Sequence, residues 1–158
     1  MYTIRASAET VIARPIEVVQ SQFADMAHHA SVGVHASLEV DNVRPTQEGC
    51  LFTGRRRVLG RLQEDEMELR RDPDGGSVLR SLGGANAGLV IAQSFEALGP
   101  AQTRVRTTVD APLPGIARLL SPLLRAILRR DLRKALAEDR HDLEVRGYPA
   151  AAVSESQA

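Results

Sequence analysis

Leu119-Leu120-Ser121-Pro122-Leu123-Leu124-Arg125-Ala126-Ile127-Leu128-Arg129-Arg130-Asp131-Leu132-Arg133-Lys134-Ala135-Leu136-Ala137-Glu138-Asp139-Arg140-His141-Asp142-Leu143-Glu144-Val145 is the longest helical pattern in the chain. Ser121 suits an N-cap and Pro122 the first helical position. Leu124, Ile127, Leu128, Ala135, Leu136 and Leu143 recur at three- and four-residue steps, so they share one face. Arg125, Arg129, Arg133 and Arg140 lie on the other, and Gly147 and Pro149 end the helix. An apolar stripe this wide needs a concave apolar surface, which must be built upstream.

Upstream, Tyr2 to Ile12 alternates as a strand. Pro15 opens a short helix from Ile16 to about Ala24, with Val19 and Phe23 four apart. Met26 to Val34 reads as a second helical piece or a loop, and His28, His29 and His35 cluster around it. From Ser37 the pattern becomes short strands separated by turns: Ser37–Val43, Cys50–Leu59, Arg61–Arg71, Ser77–Leu82, Gly88–Ala97 and Gln102–Ala111. Arg44–Gly49, Asp72–Gly76, Gly83–Asn86 and Gly99–Pro100 are the turns. Hairpin-length connections imply an antiparallel sheet, and a sheet this long curls. The reading is one α+β domain over residues 1–147, with six or seven strands and a terminal helix lying in the curl. A small, polar, disordered tail is expected at 148–158.

Composition narrows the function. Among 158 residues, 20 basic and 20 acidic side chains cancel, which argues against bulk attraction to nucleic acid. Aromatics are few, so base-stacking platforms are not expected either. The single cysteine, Cys50, excludes an internal disulfide or a cysteine-rich zinc site. With no signal-peptide pattern, the expected compartment is the cytoplasm. No apolar run reaches the ~18 residues that a membrane-spanning helix needs. Leu119–Lys134, apolar on one side and arginine-rich on the other, has the character of a surface-lying helix, but packing on its own sheet is the expected role.

The element order, with Ile12-Ala13-Arg14-Pro15-Ile16-Glu17-Val18-Val19 at the first strand–helix junction and Phe23-Ala24-Asp25 after it, resembles the START-like (SRPBCC) superfamily. That superfamily includes polyketide cyclases, lipid-transfer domains and birch-pollen-allergen-like proteins. The resemblance spans about Thr3 to Val145 and implies a helix-grip fold with an apolar cavity between sheet and terminal helix. Where such proteins often carry aromatic residues after the short helices, this chain has Val32, Val34 and His35. The implied partner is a small apolar or amphipathic ligand of lipid, polyketide or aromatic type. The alternative is a polyketide cyclase/aromatase or dehydratase acting in the same cavity. No cofactor is expected, and a homodimer is compatible with the sequence.

Asp131 and Asp139 interrupt the apolar stripe. A carboxylate facing an apolar interior is costly unless paired, so each is either a cavity group for binding or proton transfer, or an ion-pair partner of an arginine. Arg56 points opposite to Arg55 and Arg57. If Phe52 and Gly54 face the cavity, Arg56 does too, and Glu64, Glu66 or Glu68 could pair with it across the hairpin. The catalytic candidates are therefore Asp131, Asp139 and Arg56. The expected ligand contacts are Phe52, Arg56, Glu66, Phe95, Ile127, Asp131 and Ala135. Asp25-Met26-Ala27-His28 followed by His35 also resembles a degraded iron-ligand motif of Rieske-type oxygenase catalytic domains, with Asp139 as the third ligand. The histidine spacing is longer than theirs and one cysteine holds no Rieske cluster, so no metal is expected; His28, or His29 in its place, with His35 and Asp139 are the candidates that the resemblance supplies. Gly83–Gly88 precedes a strand and opens no helix, which makes it a hairpin at the cavity mouth and not a phosphate loop.

Overall fold

A computed structural model describes residues 2–149. The strands are β1 (Tyr2–Ile12), β2 (Glu39–Pro45), β3 (Gly49–Val58), β4 (Arg61–Arg71), β5 (Ser77–Gly84), β6 (Val90–Gly99) and β7 (Gln102–Leu113). Helices α1 (Ile16–Ala24) and α2 (Met26–Val32) follow β1, and α3 (Ser121–Glu144) closes the described chain after a 3-10 turn at Gly115–Leu120. The seven strands form one sheet in the order β1-β7-β6-β5-β4-β3-β2, antiparallel throughout. Each hairpin pairs neighbours in sequence, and β1 returns to pair with β7 along its whole length. The two ends of the sheet are thus β1 and β2, and α1 and α2 connect them. The curl grips α3, so the fold is the expected α+β helix grip.

Side chains sort by the period-two rule. Ile4 and Ala6 of β1, Phe52 of β3, Met67 and Leu69 of β4, and Val105 and Val109 of β7 are buried on the concave face. The convex face carries crossed ion pairs: Arg5 with Asp110, Arg106 with Glu9, Arg104 with Glu96, and Arg55 with both Asp41 and Glu64. This is where much of the balanced charge goes. Exposed pairs of this kind each contribute about 0–1 kcal/mol, so they keep the face wet more than they hold it together.

The apolar core comes in three clusters. One joins α1 and the end of α3 through Val19, Phe23, Leu136 and Leu143. A second joins α2 to β2–β5 through Met26, Phe52, Met67 and Leu79. The third sets Leu132 against Ala6, Val109 and Ala111. Full burial of one leucine such as Leu143 stabilises by about 1.5–3 kcal/mol. The clusters surround an open volume and do not merge into one core.

Most strand ends differ from the pattern reading by one or two residues, and two further differences stand out. Ser121 is the first residue of α3 and not its cap; the 3-10 turn runs directly into the helix, and the Ser121 N–H bonds the Arg118 carbonyl. Tyr148, assigned to the tail, is 6% exposed and packs in the first cluster. The rest of the expected tail, from residue 150, lies outside the described residues.

Candidate functional site

Between the three clusters lies a cavity of about 610 Å³. Its walls come from the concave faces of β3–β7, the underside of α3, and α2 with the segment that follows it. Phe52, Met67, Leu79, Ile91, Val109 and Leu132 are among its apolar lining residues. Polar groups enter at two places.

At the mouth, Arg56 reaches from β3 and its guanidinium donates to Asn86 Oδ1 at 3.3 Å. Asn86 sits in the β5–β6 hairpin, held there by Asp65, which accepts from its backbone N–H and its side-chain amide, both at 2.7 Å. Gly84 lets this hairpin close down: its φ is +110° and a Cβ would lie 2.2 Å from the Glu64 carbonyl oxygen. The glycine-rich segment therefore lies at the cavity mouth as expected, but pinned by a buried carboxylate that pattern reading overlooks.

The second polar zone lies at the α2–α3 contact. Asp25 caps α2, its side chain accepting from the His28 N–H at 3.0 Å. The helix then places His28 and His29 side by side, both 5% exposed. Gly33 ends α2 in the left-handed conformation, φ +61°, and turns the chain so that His35 comes back beside His29, ring centres 5.3 Å apart. From α3, Asp139 and Asp142 meet these rings. His28 Nε2 lies 2.8 Å from Asp142 Oδ2, and His29 Nε2 lies 3.3 Å from Asp139 Oδ1. The Gln22 amide bridges the two aspartates at 3.1 and 3.0 Å. Tyr148 lies edge-on to His28 and donates its hydroxyl to Asp25 at 2.8 Å.

These contacts set the electrostatics. Burial works against charge on His29, but the hydrogen bond and charge of Asp139, helped by the Asp25 carbonyl, outweigh it, so the imidazole holds a proton above its ordinary range. The Tyr148 phenol is pushed up by burial and then by Asp25. Thr107 Oγ1, on the sheet wall of the cavity, is buried with no hydrogen-bond partner. An unmet hydroxyl in an apolar wall is a place where a polar group of an occupant can dock.

The sequence candidates divide. Phe52, Arg56, Asp131, Ala135, His35 and Asp139 line the cavity. Asp131 sits at the rim, its side chain 52% exposed and paired with Arg130. Glu66 does not reach the cavity: it pairs with Arg44 on the convex face. The register sets Gly54 opposite Asp65 and Thr53 opposite Glu66, so the inward carboxylate is Asp65. The expected Arg56–glutamate pair is absent for the same reason; Arg55 takes Glu64. Phe95 packs edge-to-face on Phe23, ring centres 5.4 Å apart, in the first core cluster. Ile127 is 39% exposed, off the cavity. His28 faces Asp142 behind the cavity wall, while His29 faces into it. His29, His35 and Asp139 are the described residues whose ligating atoms come together, all within 4.8 Å of one another.

No protein-family profile matches the chain, and no curated protein does. Solved structures do match. The protein TTHA0849 from Thermus thermophilus superposes with a TM-score of 0.77 at 17% identity, over 90% of this chain and 99% of that one. A START superfamily protein from Mycobacterium smegmatis gives 0.74 at 14% identity, over 89% and 97%. The ZhuI aromatase/cyclase from a Streptomyces species gives 0.71 at 16% identity, over 92% and 99%. At these identities the likeness is one of fold, and the fold is the START-like helix grip. Among the described residues no helix is long and apolar enough to cross a membrane.

Proposed function

We propose that this chain binds a small amphipathic molecule in the cavity beneath α3, its apolar body against Phe52, Met67 and Ile91 and its polar end toward His29, His35 and Asp139. The carrying observation is the cavity itself. About 610 Å³ lies within the ordinary range for small-molecule sites. It has an apolar lining, two polar zones and an unpartnered Thr107 hydroxyl, as expected of a preformed site and not of a packing defect. The START-like fold supports the same reading. The lone cysteine, buried at 7% exposure, fits a reducing cytoplasmic setting. The test is native mass spectrometry of freshly purified protein, with titration by the neutral apolar dye N-phenyl-1-naphthylamine. Saturable binding of one dye, displaced by fatty-acyl or polycyclic aromatic compounds, supports the reading; no saturable binding removes it.

A second reading is an enzyme of the cyclase/aromatase or dehydratase type. The Asp139–His29 pair at the cavity wall favours it, since a buried imidazole held by a carboxylate can take and return a proton next to a bound carbonyl compound. Arg56 would orient the substrate from the mouth, and Asp131 would assist from the rim. On this reading the protein accelerates cyclisation of a synthetic poly-β-ketone thioester and Asp139→Asn falls to the buffer rate. A wild-type protein no faster than buffer removes it.

A further inference from the structure

We infer that His29, His35 and Asp139 form a site for one divalent transition-metal ion, open toward the cavity. The inference stands on the geometry of these three side chains and does not depend on what else the cavity holds.

The two rings converge on one oxygen. His29 Nε2 and His35 Nε2 lie 3.3 and 3.6 Å from Asp139 Oδ1. Ligand atoms bound at about 2.1 Å to one tetrahedral ion sit about 3.4 Å apart. The carboxylate-to-ring separations thus already match those of a metal polyhedron, and a small rotation of the rings completes it.

Each ring is oriented from behind. His29 Nδ1 lies 2.8 Å from the Asp25 carbonyl oxygen and His35 Nδ1 lies 3.3 Å from Glu138 Oε2. Both acceptors can take an Nδ1 proton, which leaves Nε2 as the ring atom turned to Asp139. Histidine ligands of metals are oriented in this way, through the other ring nitrogen, by a backbone carbonyl or a carboxylate. Metal binding displaces the Nε2 proton through which His29 meets Asp139, and the ion takes that proton's place between ring and carboxylate.

The surroundings call for positive charge. Asp139 is 4% exposed and Asp142, one turn on, is 1% exposed. Glu138 stands beside His35. Among the described residues the guanidinium within 4 Å of either aspartate is that of Arg146, 3.9 Å from Asp142 on the far side. Buried carboxylates need compensating charge, and a divalent ion at the convergence point adds to what the histidines and Arg146 provide. His28 is not a ligand, because its Nε2 is committed to Asp142 at 2.8 Å.

The donor set selects the metal class. Two imidazoles and one carboxylate suit zinc, cobalt, nickel or ferrous iron, while magnesium and calcium prefer all-oxygen sites. Three protein ligands leave at least one position free. All three residues line the cavity, so that position faces the cavity occupant and takes an oxygen of its polar end, or water.

The test uses tag-free, chelator-stripped protein titrated with Co²⁺ and, separately, Zn²⁺. The expected result is one Co²⁺ per chain with visible ligand-field absorption, displaced by Zn²⁺, and a raised melting temperature with either ion. His35→Ala, at a partly exposed position that tolerates truncation, loses at least about 100-fold in affinity, and Glu138→Gln, which only orients His35, loses about 10–100-fold. Asp139→Asn removes the absorption while circular dichroism reports the fold. No stoichiometric uptake by the wild type, or uptake unchanged in both His35→Ala and Asp139→Asn, would mean an ordinary hydrogen-bonded cluster and overturn the assignment. N-phenyl-1-naphthylamine binding, measured alongside, reports separately on the apolar ligand reading.

Discussion

The two halves of α3 carry the same three- and four-residue apolar spacing and meet different environments. From Leu132 to Leu143 the stripe is gripped: Leu132, Leu136 and Leu143 are 9%, 3% and 0% exposed. From Ser121 to Ile127 it is covered only in part: Leu124 is half-buried and Ile127 39% exposed, while Leu123 beside the stripe is 58% exposed and Leu119 just before the helix 86%. Periodicity therefore fixes which residues share a face, but the reach of the sheet and of α1 decides which part of that face is covered. The halves also differ in charge. Arginines crowd the first half, and Glu138, Asp139, Asp142 and Glu144 the second. That is opposite to what a helix dipole favours, because carboxylates at a C-terminus are repelled by its partial negative charge. The acidic end is held by tertiary partners instead: Asp142 by His28 and Gln22, Asp139 by His29, and Glu144 by the Ala13 N–H. The gripped half combines structure and site, while no residue from Ser121 to Ile127 lines the cavity.

Mutations can break this contrast. Asp142→Ala leaves His28 without its buried partner and Gln22 with Asp139 alone, and should cost about 3–5 kcal/mol of unfolding free energy, read by urea denaturation. Leu143→Ala in the first core cluster should cost about 2–5 kcal/mol, whereas Leu123→Ala should stay within about 0.5 kcal/mol. Comparable losses in the two leucine variants would show that the halves are equally packed and that the contrast is wrong.

Glu144→Gln is the smallest of these. Its carboxylate accepts from the Ala13 N–H at 2.7 Å and from Arg140 at 2.8 Å. Burial pushes this carboxyl up, but the two donors outweigh it and hold it below its ordinary value of 4.5. A depressed carboxylate contributes stability that is full above its unfolded value and is lost as the pH falls through the folded one. The substitution should therefore cost about 1 kcal/mol near neutrality, and the difference should shrink as the pH falls below the ordinary value of 4.5. A constant difference down to pH 3 would remove the ionic explanation.

Much of the fold is legible in the sequence because its signals are local. The alternation of β1 and β7, the Asp72–Gly76 turn and the α3 stripe are each read within about a dozen residues. The site is less so, because its partners are distant: His29 and Asp139 are 110 residues apart. Asp139 stands out because it interrupts an apolar stripe, and Arg56 because strand alternation turns it inward. Choosing His29 over His28 requires knowing how Asp25 caps α2, and Gln22 looks like any polar residue on a short helix. Glu66 fails by one residue of register, since a shift of one exchanges the faces of a strand. Tyr148 and Thr107 matter only through contacts that sequence spacing does not reveal.

The central claim is that the space beneath α3 is a binding site. Ala135 faces it from the gripped half, on a helical position that accepts a large side chain without backbone change. Ala135→Trp should fill the cavity, keep the wild-type circular dichroism spectrum, and weaken N-phenyl-1-naphthylamine binding by at least about tenfold, a loss of about 1.4 kcal/mol. Equal dye affinity in the folded variant and the wild type would contradict the claim.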